Sequence, residues 1–223
     1  MKLLAAIAVA LAFPASALAE DARLVTQEVP LGSGARTLAS ARPPVFDLVG
    51  LNWRGSGDVR FRTRSLAGRW TAWRSAQPEP FDVPDAGTPE ARSALEWRLG
   101  NPYWVGPSNA IQYRLRGRVT RLRAHFVQSA VRSVPARTLS IAGSPAMIPR
   151  ASWRADEEIR RAGPMFAPSL RFAVVHHTAG ANGYTAAQSA AIVRAIQIYH
   201  VKGNGWNDIG YNFLVDKYGQ VFE

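Results

Sequence analysis

Val45-Phe46-Asp47-Leu48-Val49 and Leu51-Asn52-Trp53 form a nearly continuous apolar run, closed by the turn residues Gly55-Ser56-Gly57-Asp58. Val59-Arg60-Phe61-Arg62-Thr63-Arg64 then alternates large and basic residues. A period of two marks a half-buried antiparallel strand. Ile111-Gln112-Tyr113-Arg114-Leu115-Arg116 repeats the pattern, and Leu122 to Val127 gives a weaker version. Pro and Gly clusters separate these runs, and Pro89 to Leu99 is the one helical candidate among them. Several short strands between turn signals predict an all-β sandwich over residues 20–130.

The pattern changes after Ser129. Pro135, Pro145 and Pro149 among Ser, Ala and Gly predict a linker over residues 131–147. Arg171 to His177 reads as a buried strand. Thr185-Ala186-Ala187-Gln188 fits a capping box, in which the Thr side chain and Gln satisfy helix N-terminal amides reciprocally. The helix then runs from about Ala186 to Val201, with Ile192, Val193, Ile196, Tyr199 and His200 on one face. Lys202 suits its negative end and Gly203 stops it. Gly210 to Val215 predicts another strand, Asp216-Lys217-Tyr218-Gly219 a turn, and Gln220 to Glu223 a returning strand. Where Val221 and Phe222 stop, an unpaired strand edge is expected. The C-terminal region, residues 148–223, is thus predicted as α/β.

Composition narrows the setting. The 223 residues carry a formal net charge of +11, almost all from arginine, with Lys2, Lys202 and Lys217 the only lysines. Such a chain is drawn to polyanions, nucleic acid and a phosphate-bearing cell envelope among them. The N-terminus favours the envelope. Lys2 precedes an apolar run from Leu3 to Phe13, and Ala17-Leu18-Ala19 supplies a small-x-small cleavage site. Residues 1–19 therefore read as a secretory signal peptide. The run is short for a bilayer span, so the expectation is a secreted or envelope protein with no stable membrane insertion after cleavage and no nucleic-acid partner. The chain has no cysteine, which excludes disulfides and thiolate ligands.

Chemistry concentrates near the end. Adjacent residues on a strand point to opposite faces, so one of His176 and His177, not both, is the candidate metal ligand. His200 stands late on the helix, where packing on a sheet aims it over the strand end. Tyr211 can donate a hydrogen bond to a polarised carbonyl oxygen or act as a satisfied polar handle. Trp53, Trp70, Trp73, Trp97 and Trp104 read as core residues, with sugar stacking as the alternative. The alternating arginines read as a solvated face, and His125 as structural.

Val174-Val175-His176-His177-Thr178-Ala179-Gly180, Ile196-Gln197-Ile198-Tyr199-His200, Gly205-Trp206-Asn207-Asp208-Ile209-Gly210-Tyr211-Asn212-Phe213 and Tyr218-Gly219-Gln220-Val221-Phe222-Glu223 closely resemble the peptidoglycan recognition protein and type 2 N-acetylmuramoyl-L-alanine amidase family. Ile148-Pro149-Arg150-Ala151-Ser152-Trp153 resembles that domain's opening segment, with Arg154 where the family commonly has Gly. The resemblance covers roughly the last third of the chain. It implies a mixed sheet with helices, a groove for peptidoglycan and a zinc-activated water that cleaves the bond between N-acetylmuramic acid and L-alanine. It makes His176 a zinc ligand, sets Tyr211 beside the scissile carbonyl as the catalytic residue, and places His200, Trp206 and Thr178 at the substrate. The family's other two ligands, a His and a Cys or Asp, have no counterpart in this sequence. Asp208 and Asp216 match no ligand motif. The expectation is therefore an amidase whose site is incomplete here, the chain being an inactive fragment, with a non-catalytic peptidoglycan-binding module as the alternative. A third reading makes the stranded region an envelope-adhesion module.

Overall fold

The computed structural model describes residues 22–32, 37–38, 41–76, 78, 84, 86–88, 91, 96–129, 138–140, 143–166, 168–178 and 180–223. The signal peptide expected over residues 1–19 lies outside them, as do residues 131–137 and 141–142 of the expected linker. Among the described residues no helix is long and apolar enough to cross a membrane.

The alternating runs form the strands they predict: β2 (Phe46–Arg54), β3 (Asp58–Ser65), β6 (Tyr103–Arg116) and β7 (Arg121–Ser129). β1 (Ala22–Glu28), β4 (Arg74–Ser75) and β5 (Arg98–Leu99) complete an antiparallel set. Its order is β1-β7-β2-β6-β3-β4, with β5 also pairing β2. The end of the helix expected over Pro89 to Leu99 is thus a strand: Asn52 and Trp53 pair with Leu99 and Arg98. Two residues carry too short a pattern to reveal a strand, so the edge of β2 decides it.

Hydrogen bonding runs continuously through this sheet, yet it packs as two layers. β6 pairs β2 through Tyr103, Trp104 and Ser108, and β3 through Ser108 to Arg116. The register shifts in both ladders where they meet Ser108, beside Gly106 with φ 71°. A bent strand of this kind belongs to both layers of a sandwich. Between the layers, Val59 and Phe61 of β3 and Ile111 and Tyr113 of β6 meet Val49, Leu51, Trp53 and Phe126 of β2 and β7. The predicted sandwich core is therefore present. The two connections that cross between layers touch at Gly55 (φ 108°), where a Cβ would lie 2.2 Å from the Arg118 carbonyl oxygen. A side chain there is excluded by sterics and by backbone conformation together.

The C-terminal region forms a three-stranded mixed sheet of order β8-β10-β9, with β8 (Met147–Ile148), β9 (Leu214–Val215) and β10 (Val221–Phe222). β10 runs parallel to β8 and antiparallel to β9. The edge expected to be unpaired at Val221 and Phe222 is thus central. Two hydrogen bonds reinforce it: Glu223 N–H donates to the Ile148 carbonyl (3.0 Å), and Trp153 Nε1 to the Glu223 carbonyl (2.9 Å). β8 also shows that strand structure begins within the last residue assigned to the linker.

The predicted helix is present, with modified ends. Ala186–Gln188 is a 3-10 turn, Ser189–Ile198 is α1, and Tyr199–Gly203 is a π turn. Gln188 Oε1 accepts from the Thr185 N–H at 2.8 Å, the reciprocal half of a capping box. α1 packs on the outer face of the β1-β7-β2 layer, and one apolar cluster joins Leu48, Trp104 and Val127 to Ile196, Ile198 and Tyr199. Each such side chain, fully buried, contributes about 1.5–3 kcal/mol.

Two expectations fail here. Arg171 to His177 forms no strand, and Phe172, Val174 and Val175 are exposed, Val175 at 99%. The strand expected over Gly210 to Val215 shrinks to Leu214–Val215. A buried strand needs ladder partners and apolar cover on both faces; no described strand pairs with residues 171–177.

Candidate functional site

The π turn sets the geometry of the site. Within it, Tyr199 turns to the β-sheet and His200 to the loop that follows. Tyr199 is fully buried against Gly50 of β2, where a Cβ would come within 2.0 Å of its ring. Its hydroxyl lies 2.5 Å from the Gly100 carbonyl and 3.0 Å from Asn52 Oδ1. Asn52 reaches His125 Nε2 (3.1 Å), whose Nδ1 meets Thr26 Oγ1 (2.9 Å). Burial lowers the His125 pKa to about 4, so the ring is neutral at physiological pH. His125 is structural, as expected. The packing of Tyr199 on Gly50 is not among the sequence expectations. The available signal was the lone Gly50 inside an apolar strand, which marks close approach of another group.

On the other side, His200 is fully buried and its Nδ1 accepts from the Gly210 N–H at 3.1 Å. An accepting Nδ1 places the ring proton on Nε2. Burial lowers the pKa to about 3, which keeps the ring neutral. His200 Nε2 and Trp206 Nε1 are buried with no hydrogen-bond partner among the described residues. The Trp206 ring lies 4.4 Å from His200, and Gly210 leaves room for it: a Cβ there would come within 2.7 Å of the indole. Tyr211 follows, 5.6 Å from the His200 ring and 6.4 Å from His176, nearly parallel to the latter at 24°. Trp206, His200, Tyr211 and His176 therefore form one aromatic row. Thr178 stands outside it, half-buried near Gly180.

The premise that a strand splits His176 from His177 does not hold, because that strand is absent. The two rings lie 5.3 Å apart, His177 the more exposed. The stacking on Tyr211 distinguishes His176.

A catalytic zinc takes three protein ligands and keeps one open position. Among the described residues no three His, Asp or Glu side chains gather to hold a metal. Asp208 accepts from Arg150, Gln197 and the Ile209 N–H. Asp216 accepts from Ser189 and Gln220, both at 2.6 Å. Both carboxylates hold the local fold, so the residues described here do not fit a three-ligand zinc site.

A family model described as Rv3811 N-terminal galactose-binding domain-like matches residues 12–141. The chain belongs to this family. The matched span contains the whole two-layered β region of this galactose-binding domain-like protein. The chain is also similar over part of its length to peptidoglycan-recognition proteins. SC1a/b of Drosophila simulans is 48% identical over 54 residues, which is 24% of this chain and 29% of that protein. LE of Drosophila melanogaster is 37% identical over 78 residues, 35% and 22% of the two chains. Peptidoglycan recognition protein 1 of Bos taurus is 44% identical over 54 residues, 24% and 28%. The chain thus spans under a third of the length of these curated relatives. A likeness to the VP2 subviral particle of infectious bursal disease virus, at 13% identity, a TM-score of 0.25, and 49% and 34% coverage, is too slight to bear on the fold.

Proposed function

We propose that this protein binds peptidoglycan in the cell envelope through its C-terminal region. The reading rests on one observation: Trp206, His200, Tyr211 and His176 converge in a single row. Partial identity to peptidoglycan-recognition proteins of insects and cattle supports it. The part-buried rings of Tyr211 and His176 offer faces to sugar or peptide, with His200 and Trp206 buried behind them.

Zinc-dependent cleavage of the bond between N-acetylmuramic acid and L-alanine is the second reading. The closeness of Tyr211 to His176 favours it: His176 would be one metal ligand, and Tyr211 would hydrogen-bond the scissile carbonyl. Two further ligands are required. We assign no hydrolytic step to the residues described, and we expect the 223-residue chain to bind without turnover. Sedimentation of the purified chain with insoluble peptidoglycan, alongside release of stem peptide with and without chelator, tests both readings. Binding that falls at least about tenfold in Trp206→Ala, with no peptide release, is the expected result. Absence of binding overturns the first reading, and chelator-sensitive release establishes the second.

A further inference from the structure

The outer face of β3 and β6 carries an arrangement that peptidoglycan binding does not use. Arg60, Arg62 and Arg64 repeat along β3 with period two, about 7 Å apart. Arg60 pairs directly opposite Arg114 of β6. Like charges at opposed positions are destabilising, so the sequence tolerates a cost here. Elsewhere on the same domain arginines are neutralised: Arg54 pairs with Glu96, and Arg121 and Arg123 with Glu28. On this face, among the described residues, none of the four arginines has a carboxylate within ion-pairing distance.

Tryptophan rings hold three of them instead. Arg62 lies over Trp70 (4.9 Å) and Trp73 (5.0 Å), Arg64 over Trp70 (5.9 Å), and Arg114 over Trp73 (4.3 Å). Arg62 Nε donates to Gln112 Oε1 at 2.8 Å, and Arg64 Nε to Asn109 Oδ1 at 3.3 Å. Stacking and the Nε bonds fix the guanidinium planes of Arg62 and Arg64, whose Nη donors meet no acceptor among the described residues; Arg114 is held by stacking, and Arg60 Nη2 donates to the Trp73 carbonyl at 3.2 Å. The result is a rigid row of N–H forks with spare donors. This revises two expectations: these arginines are not merely solvated, and Trp70 and Trp73 are neither core nor open platforms, since each ring already carries two guanidiniums.

We infer that this face binds a phosphodiester-linked glycan or polyol polymer of the cell wall. A planar guanidinium matches a phosphate oxygen pair bidentately, and a row of them suits a polymer charged at every repeat. Single-stranded nucleic acid is less well served, because its recognition adds base stacking on free aromatic faces, and here the rings are engaged by the protein's own arginines.

The test is binding of the full chain to poly(glycerol phosphate), with oligo(dT) of matched charge as competitor. Arg60→Gln/Arg62→Gln/Arg114→Gln is expected to weaken binding at least about tenfold. Removing equal charge elsewhere, with Arg23→Gln/Arg42→Gln/Arg171→Gln, is expected to weaken it less than about twofold. The charge-preserving Arg60→Lys/Arg62→Lys/Arg114→Lys is expected to lose about threefold or more, because an ammonium neither stacks nor forks. Equal losses in the two Gln variants, unchanged binding by the Lys variant, or tighter binding of oligo(dT) would overturn the inference. Far-UV circular dichroism of each variant, unchanged from the parent, confirms that the comparison is between folded proteins.

Discussion

Residues 45–49 and 172–175 are both short, apolar and strand-like in composition, and they end in opposite states. Leu48 and Val49 are buried, with β6 on one side and β7 on the other. Phe172, Val174 and Val175 are exposed and join no ladder. The difference is not in the residues but in what lies beside them. β2 is flanked by two long strands and covered on its outer face by α1, whereas the C-terminal sheet consists of three two-residue strands. An apolar run permits burial; backbone partners decide it.

Acidification is the sharpest way to stress both regions at once, since each contains a buried neutral histidine. For His125 and His200 the folded pKa values, about 4 and about 3, lie below the unfolded value of 6.5. The unfolded chain therefore binds more protons below pH 6.5. Their contribution is fully present above about pH 6.5 and is lost as pH falls toward the folded values, at up to about 1.4 kcal/mol per pH unit for each ring. Asp47, whose pKa burial raises, works in the opposite sense at the acid end. Urea midpoints measured from pH 7.5 to 4.5 should fall steeply, and His125→Gln should roughly halve the slope. A flat profile would show that neither ring is held neutral.

A paired truncation tests the comparison itself. Ile111→Ala empties a fully buried site between the layers and should cost about 3 kcal/mol. Val175→Ala should change stability by less than about 0.5 kcal/mol. Comparable losses from the two would mean that the 172–175 run is covered in solution.

Gly50→Val attacks the junction. Its side chain must displace the Tyr199 ring, at an expected cost of about 2–3 kcal/mol. Hydrogen exchange should show α1 opening more than β3, because the strain falls on the helix side of the contact. Exchange unchanged along Ser189–Ile198 would contradict the seating of Tyr199 on this glycine.

The smallest expected effect is a gain. Arg154 holds φ at 59°, the left-handed region that side chains other than glycine adopt at a cost of about 1–2 kcal/mol. Arg154→Gly should raise the urea midpoint by the equivalent of about 1 kcal/mol. A fall would mean that the Arg154 side chain contributes more than its backbone costs.

β3 and the second half of β6, where the alternation is complete, were legible from sequence, and so was α1 with its Gln188 capping contact. β4 and β5 were not, since two residues carry no period; pairing alone defines them. The aromatic row was legible in its members, His200, Trp206, Tyr211 and His176, because a family resemblance names residues even where local structure departs from expectation. Thr178 was named the same way and is not in the row. What stayed hidden was orientation. The helical pattern assigns Tyr199 and His200 to one face, whereas Tyr199 packs on Gly50 of β2 and His200 on the loop at Gly210. The engaged state of Trp70 and Trp73 was hidden for a similar reason: alternation places Arg62 and Arg114 on the outer face but does not show what lies over them.

The peg formed by Tyr199 has a thermodynamic consequence. A side chain from the C-terminal region closes its hydrogen bonds on Asn52 and Gly100, at sequence separations of 147 and 99 residues. Melting either region strands buried polar groups in the other, which ties their transitions together. In a calorimeter the molecule should give one endotherm, whose van't Hoff and calorimetric enthalpies agree, rather than the two of a pair of beads on a string.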